Sequence, residues 1–195
     1  MDWAPGSVVS SSIRASSSLS KTHSSSSYPP PSHSHQLLKL FSRSGFNTGI
    51  SVLGPGTVLI DNTQLKDNTN VSVLVNEVNA TVVLDQDIIT TSTKGLLLAA
   101  GKAVVSRSTF TFNTAFGVVA RNHTNIAITD TLFASNGVGI ELGRHVTADL
   151  TDSKLFDNKT PFACGSRFRL FEENRVECIP EDCKSERHET PCCSS

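Results

Sequence analysis

The chain has 195 residues, a formal net charge of −1 and 18% charged residues, so it lacks the basic excess of a nucleic-acid-binding surface. That length accommodates one domain with a modest core, and no apolar run approaches the roughly 20 residues that a bilayer-spanning helix needs.

Residues 1–35 are dominated by serine, carry Pro29, Pro30 and Pro31, and have few large apolar side chains after Ile13. Such a segment buries too little surface to offset its chain entropy and reads as disordered. It has no apolar stretch of the secretory type. With Arg14, Lys21 and few acids it resembles an organellar transit peptide, and a plain disordered extension accounts for it equally. Residues 36–45, with Leu37, Leu38, Leu40 and Phe41 before Gly45, read as a cap or as a degenerate first coil covering an open sheet edge.

A 22-residue period then takes over: residues 94–115, 116–137 and 138–159 follow one another without a gap. Aligned, they place Gly95, Gly117 and Gly139 in one column and Leu96, Val118 and Ile140 in the next. Leu98, Ala120 and Leu142 share a third column, and Val104, Ile126 and Ala148 a fourth. Residues 48–69 fit the same frame, Ile50, Val52, Val58, Ile60, Leu65 and Asn68 meeting Val118, Ala120, Ile126, Ile128, Phe133 and Asn136. Within a period the apolar residues alternate in short bursts, Val118 and Ala120, Ile126 and Ile128, then Phe133, which is the pattern of half-buried strands. Between bursts stand Gly, Asn, Asp, Ser and Thr, leaving no room for a helix. The prediction is an all-β, single-stranded parallel β-helix, a solenoid of about six coils over residues 36–165.

The Asn column (Asn68, Asn136 and Asn158, with Thr114 in the equivalent place) reads as turn geometry, since Asn tolerates left-handed backbone. Stacked amides can also bond from coil to coil. The Gly column reads as turn geometry as well. Asp130 and Asp152 stack with Asn62 and Ser108, where turn capping explains them.

The run Ile126, Ile128, Asp130, Thr131, Phe133, Asn136 and Gly137, in the frame Val/Ile-x-Ile/Leu-x-Asp/Asn-Ser/Thr-x-Leu/Phe-x-x-Asn, resembles the parallel β-helix repeat of the pectin-lyase-like superfamily. The resemblance covers about two-thirds of the chain and implies a right-handed coil. It does not carry the superfamily's catalytic motifs with it. The Asn-Thr-Asp, Asp-Asp, Gly-His-Gly and Arg-Ile-Lys segments of polygalacturonases are missing, as is the Asp-Pro-His-Asp of alginate C5-epimerases. The calcium-holding carboxylates of pectate lyases have no clustered counterpart, because Asp85, Asp87, Glu141 and Asp149 read as outward residues scattered between faces.

One outward row combines bases, cations and an acid. His123 and His145 occupy the same turn position in successive coils, behind Asn122 and Arg144, with Arg121 and Glu141 nearby. Arginine suits planar carboxylates, so Arg121, His123, Glu141, Arg144 and His145 form a candidate site for an acidic polysaccharide or another anion. Its affinity is expected to vary with pH where imidazoles gain their proton. A polar, exposed turn with no ligand is the simpler alternative. Apolar outward columns, Leu59, Val83, Val105 and Ala127 before Asp149, and Leu97 with Val119, point to a protein partner, a second copy or the tail as a cover, and the strand preference of β-branched residues accounts for them equally.

All five cysteines lie late in the chain. Cys164 falls in an inward column and reads as a small buried hydrophobe. Residues 166–195 form a polar tail in which Cys178, Cys183, Cys192 and Cys193 are an even set, favouring disulfides and an oxidising, secreted setting. Zinc held by Cys178, Cys183, His188 and Cys192 is the alternative, with poor spacing for it. Sequons at Asn70, Asn79, Asn122 and Asn158 are compatible with secretion. Neither a cofactor nor a metal is implied. The expected function is therefore a binding or structural β-helix module that recognises carbohydrate or a protein through its outer face. The alternative is a polysaccharide lyase, glycoside hydrolase or uronate epimerase, as a fragment or degenerate copy.

Overall fold

The structure, a computed structural model, describes residues 35–38, 42–121, 123–143, 145–164, 169–170 and 175–176. Among these residues short strands pair only in parallel, each with its equivalent one coil away, and three sheets result. Sheet 1 stacks Thr48–Val52, Val71–Val75, Lys94–Leu98, Phe116–Ala120, Val138–Leu142 and Thr160–Cys164. Sheet 2 stacks His35–Leu38, Gly56–Asp61, Ala80–Asp85, Lys102–Ser106, Asn125–Thr129, Thr147–Thr151 and Arg169–Leu170. Sheet 3 stacks Arg43–Ser44, Gln64–Lys66, Ile88–Thr90, Thr109–Thr111, Leu132–Ala134, Lys154–Phe156 and Arg175–Val176. Five complete coils run from Thr48 to Phe156, with partial coils beyond them. The segment expected to be a cap or a degenerate coil contributes His35–Leu38, paired with Thr57 to Ile60, and Arg43–Ser44. Most of the serine-rich leader lies outside the described residues.

Inward residues form continuous rows about 4.8 Å apart. Val58, Val82, Ala103, Ile126 and Ala148 make one, and Ile60, Leu84, Val105, Ile128 and Leu150 another. Leu65, Ile89, Phe110, Phe133 and Leu155 make a third, in which Phe110 and Phe133 stack at 5.1 Å. All belong to one buried core. Each large side chain fully buried there contributes roughly 1.5–3 kcal/mol. Cys164 pairs with Leu142 in the expected row.

The constant 22-residue frame fails in one coil. Ala103, not Val104, pairs with Ile126, and Val104 is 41% exposed while Val105 is fully buried. Only residues 99–101 connect sheet 1 to sheet 2 there, against residues 121–124 one coil later. Residues 112–115, against 135–137, then restore the count between sheets 3 and 1. The outward column accordingly reads Leu59, Val83, Val104, Ala127 and Asp149. Asn113 replaces Thr114 in the Asn column, and Arg107, not Ser108, stands with Asn62, Asp130 and Asp152 at positive φ.

The Asn column is a ladder of amides rather than a row of left-handed residues. Positive φ belongs to the residue before each one: Asp67, Thr91, Phe112, Ser135 and Asp157. Asn136 is buried, and its Oδ1 accepts from the backbone N–H of Asn113 at 3.1 Å and from its Nδ2 at 3.0 Å. Asn136 in turn donates through N–H and Nδ2 to Asn158 Oδ1, at 3.0 and 2.9 Å, and its Nδ2 also reaches the Phe110 carbonyl at 2.9 Å. The Gly column is likewise not a turn. Gly117 lies within a strand, and a Cβ there would stand 2.6 Å from the Gly139 carbonyl oxygen and 3.1 Å from Phe133.

At the corner between sheets 2 and 3, Thr63, Ser108, Thr131 and Ser153 each donate a hydroxyl to the carbonyl two residues earlier. Asp87 occupies this column on the second coil. It is 1% exposed, contrary to the outward position expected for it. Its Oδ1 accepts from the Thr63 N–H at 2.7 Å, and its Oδ2 has no partner. Burial pushes its carboxyl up to about 7, against the backbone hydrogen bonds that favour the anion and with help from the acids Asp61 and Asp85. Asp85 itself is held low by the Arg107 guanidinium bound to it.

Two outcomes are expected. Asn136→Ala should lower stability by roughly 2–4 kcal/mol in denaturant unfolding, because it strands buried donors on Asn113 as well as removing its own bonds. The raised Asp87 carboxyl means that the folded chain holds a proton more tightly than the unfolded one, whose value is 3.8. Stability from this group is thus complete below that value and lost as pH rises to about 7, with a slope of at most about 1.4 kcal/mol per pH unit. The stability difference between wild type and Asp87→Asn should follow this slope, and a difference constant across the window would refute it.

Candidate functional site

The corner between sheets 1 and 2 carries the histidines, just after Phe116–Ala120 and Val138–Leu142. Each coil must reverse its path here while burying the next residue, Thr124 on one coil and Val146 on the other. That inward step forces the preceding residue outward in left-handed backbone, with φ 59° at His123 and 57° at His145. The two exposed rings consequently lie one above the other, with centroids 4.7 Å apart and planes within 2°. Charged together, rings at this distance would repel by about 1 kcal/mol in water, and an anion against both would offset that.

Arg121 is exposed at the start of the same corner, its N–H bonded to the Leu98 carbonyl at 2.9 Å. Gly143 is its counterpart one coil on. A Cβ on Gly143 would meet Arg121 Cα at 3.3 Å and Cγ at 3.8 Å, so the missing side chain leaves room for the arginine stem. Glu141 is half-exposed on the outer face of sheet 1, between Val119 and Ala163 in the register. Of the five residues singled out from sequence, the structure stacks His123 on His145 and sets Arg121 at their corner. Glu141 belongs to the neighbouring sheet face. Arg144 and Asn122 lie outside the described residues, as do Cys178, Cys183, Cys192 and Cys193.

Among the described residues no pair of carboxylates converges on this corner, which carries Glu77 two coils before His123. Asp85 is engaged by Arg107 and by Ser106 at 2.8 Å, Asp87 is buried, and Asp149 faces outward from sheet 2. Among the described residues no group of three or more His, Cys, Asp and Glu is placed to hold a metal ion. No described helix is long and apolar enough to cross a membrane. On the outer face of sheet 1, Val119 has no exposed surface although it lies outside the core cluster.

Sequence reasoning missed a second feature at the corner between sheets 3 and 1. There an open groove of about 650 Å³ is bordered by Phe112, Thr114, Ser135, Asp157 and Lys159. The constant frame set Phe112 opposite Ala134, an ordinary strand position. The true register sets it opposite Ser135 and Asp157, where a large aromatic is out of pattern, and the compensated slip hides that mismatch from the sequence.

The family model described as right handed beta helix region matches residues 37–167. No curated protein and no solved structure matches the chain.

Proposed function

The chain belongs to the right-handed β-helix family, and on that premise we propose that it is a binding module whose histidine corner recognises an acidic polysaccharide. The observation that supports this reading is the His123–His145 stack at 4.7 Å. Two exposed imidazoles are aligned along the coil axis, beside an arginine whose stem fits over a glycine. A repeating anion, such as a chain of uronate units, can meet such a row with successive carboxylates. Arg121 supplies a planar donor pair for one carboxylate, and each imidazole can add an N–H donor.

Binding is favoured over catalysis because hydrolysis or elimination needs groups on both sides of a held bond. The corner presents its bases in one row, and of the described carboxylates only Glu77, two coils before His123, shares that corner. Exposed charge pairs are weak and screened beyond about 8 Å at physiological salt, so the expected affinity is modest and falls as salt is raised. A second reading, self-association through sheet 2, has one supporting observation, the exposed Val104 within the column Leu59, Val83, Val104 and Ala127.

Titration calorimetry with oligogalacturonates and oligoalginates tests the first reading. Wild type should bind at least one series saturably, with affinity falling as salt is raised. The double change His123→Asn and His145→Asn, which suits left-handed backbone, should weaken binding by about tenfold, or about 1.4 kcal/mol, without lowering the melting temperature. Unchanged affinity would refute the site, and unsaturated products accumulating from pectate or alginate would refute the non-catalytic reading. For the second reading, sedimentation velocity should show wild type associating with rising concentration and Val104→Lys remaining a monomer.

A further inference from the structure

The groove between sheets 3 and 1 differs from the same corner on earlier coils. On those coils the corner is satisfied from within. Thr91 donates its hydroxyl to Asp67 Oδ1 at 2.7 Å, Thr93 to the Thr69 carbonyl at 2.7 Å, and Lys94 Nζ to Asn70 Oδ1 at 3.1 Å. From Phe112 onward the pattern stops. The side chains of Thr114, Ser135, Asp157 and Lys159 make no hydrogen bond or ion pair among the described residues. Thr114 stands where Thr93 stands one coil earlier, so the loss follows from the setting and not from the residue type.

Phe112 marks the change. Its φ is 54° and its exposure 61%. A bulky residue in left-handed backbone is strained. The other residues of that column, Asp67, Thr91, Ser135 and Asp157, are small or polar turn formers. Neither the turn nor the core accounts for phenylalanine here, since its ring contributes little to burial. Beneath the groove the buried ladder of Asn113, Asn136 and Asn158 gives a rigid floor.

We propose that this groove binds a pyranose unit of a neutral saccharide, its ring stacked on Phe112 and its hydroxyls bonded to Ser135, Asp157 and Lys159. Sugar C–H groups carry partial positive charge toward the negative face of an aromatic ring. An exposed aromatic beside a few fixed donors and acceptors is the composition of a small-ligand site. Lys159 and Asp157 balance one another in charge, which favours uncharged hydroxyls over carboxylates or phosphates. The site stands apart from the histidine corner, at the opposite edge of sheet 1, and does not depend on it.

Amide NMR titration of the full chain with oligosaccharides of cellulose, xylan and mannan tests this. At least one series should give saturable shifts centred on Phe112, Ser135, Asp157 and Lys159. Phe112→Asn removes the ring while suiting left-handed backbone, so binding should fall by about tenfold or more with the melting temperature unchanged or raised. Asp157→Asn should weaken binding by a similar factor, whereas the double histidine variant should bind these neutral sugars as wild type does. The proposal is overturned if none of the three series shifts these amides, if Phe112→Asn binds normally, or if that variant loses thermal stability. Oligogalacturonate shifting the same amides in place of the neutral sugars would also overturn it.

Discussion

Parallel strands stacked one rung apart leave each coil with backbone donors and acceptors that the neighbouring coils must meet, and a shift of one residue would turn every inward side chain outward. Three devices hold that register. The aliphatic rows bury continuously, with Phe110 and Phe133 stacked at 5.1 Å. Glycines such as Gly117 let strands approach where a Cβ would strike the next carbonyl. The amides of Asn113, Asn136 and Asn158 link consecutive coils through both backbone and side chain. Each link is modest alone, but every coil depends on its neighbours, as in any solenoid.

Most of this architecture was legible in the residues themselves. Inward rows show as columns because period-two alternation and a nearly constant repeat length survive in the chain, and Ile126 indeed lies against Ala148. What could not be read was the compensated slip around residues 99–115. A coil that loses one residue at one corner and regains it at another keeps its total length. The period therefore looks unbroken while Ala103 replaces Val104 in the core. The coil-to-coil amide bonds of the Asn column were legible. Its left-handed backbone and the turn at Gly were misread, since residue type alone does not separate a left-handed turn from a buried amide or a close approach. Asp87 is a similar case, because only the structure places this acid in a column of buried hydroxyls.

For function, the same stacking that makes the core makes the sites, since an outward row repeats a side chain at each rung. Thus two histidines separated by a full coil become a face-to-face pair, with no loop built for the purpose. Tight corners also leave little material to wall a cleft, which favours surface recognition of an extended chain over enclosure of a reacting bond. Both candidate sites flank strands Phe116–Ala120 and Val138–Leu142, the histidines after them and the groove before them. Both proposals therefore fall on these coils, stacked upon the earlier ones.

The central claim is that residues one coil apart lie directly on one another. Nuclear Overhauser effects between the ring protons of His123 and His145 test it most directly, because the rings are 4.7 Å apart only if the coils stack in this register. Strong ring-to-ring cross-peaks, together with contacts between the side chains of Ile126 and Ala148, are the predicted result. Their absence from a folded, well-dispersed spectrum would contradict both the register and the site built upon it.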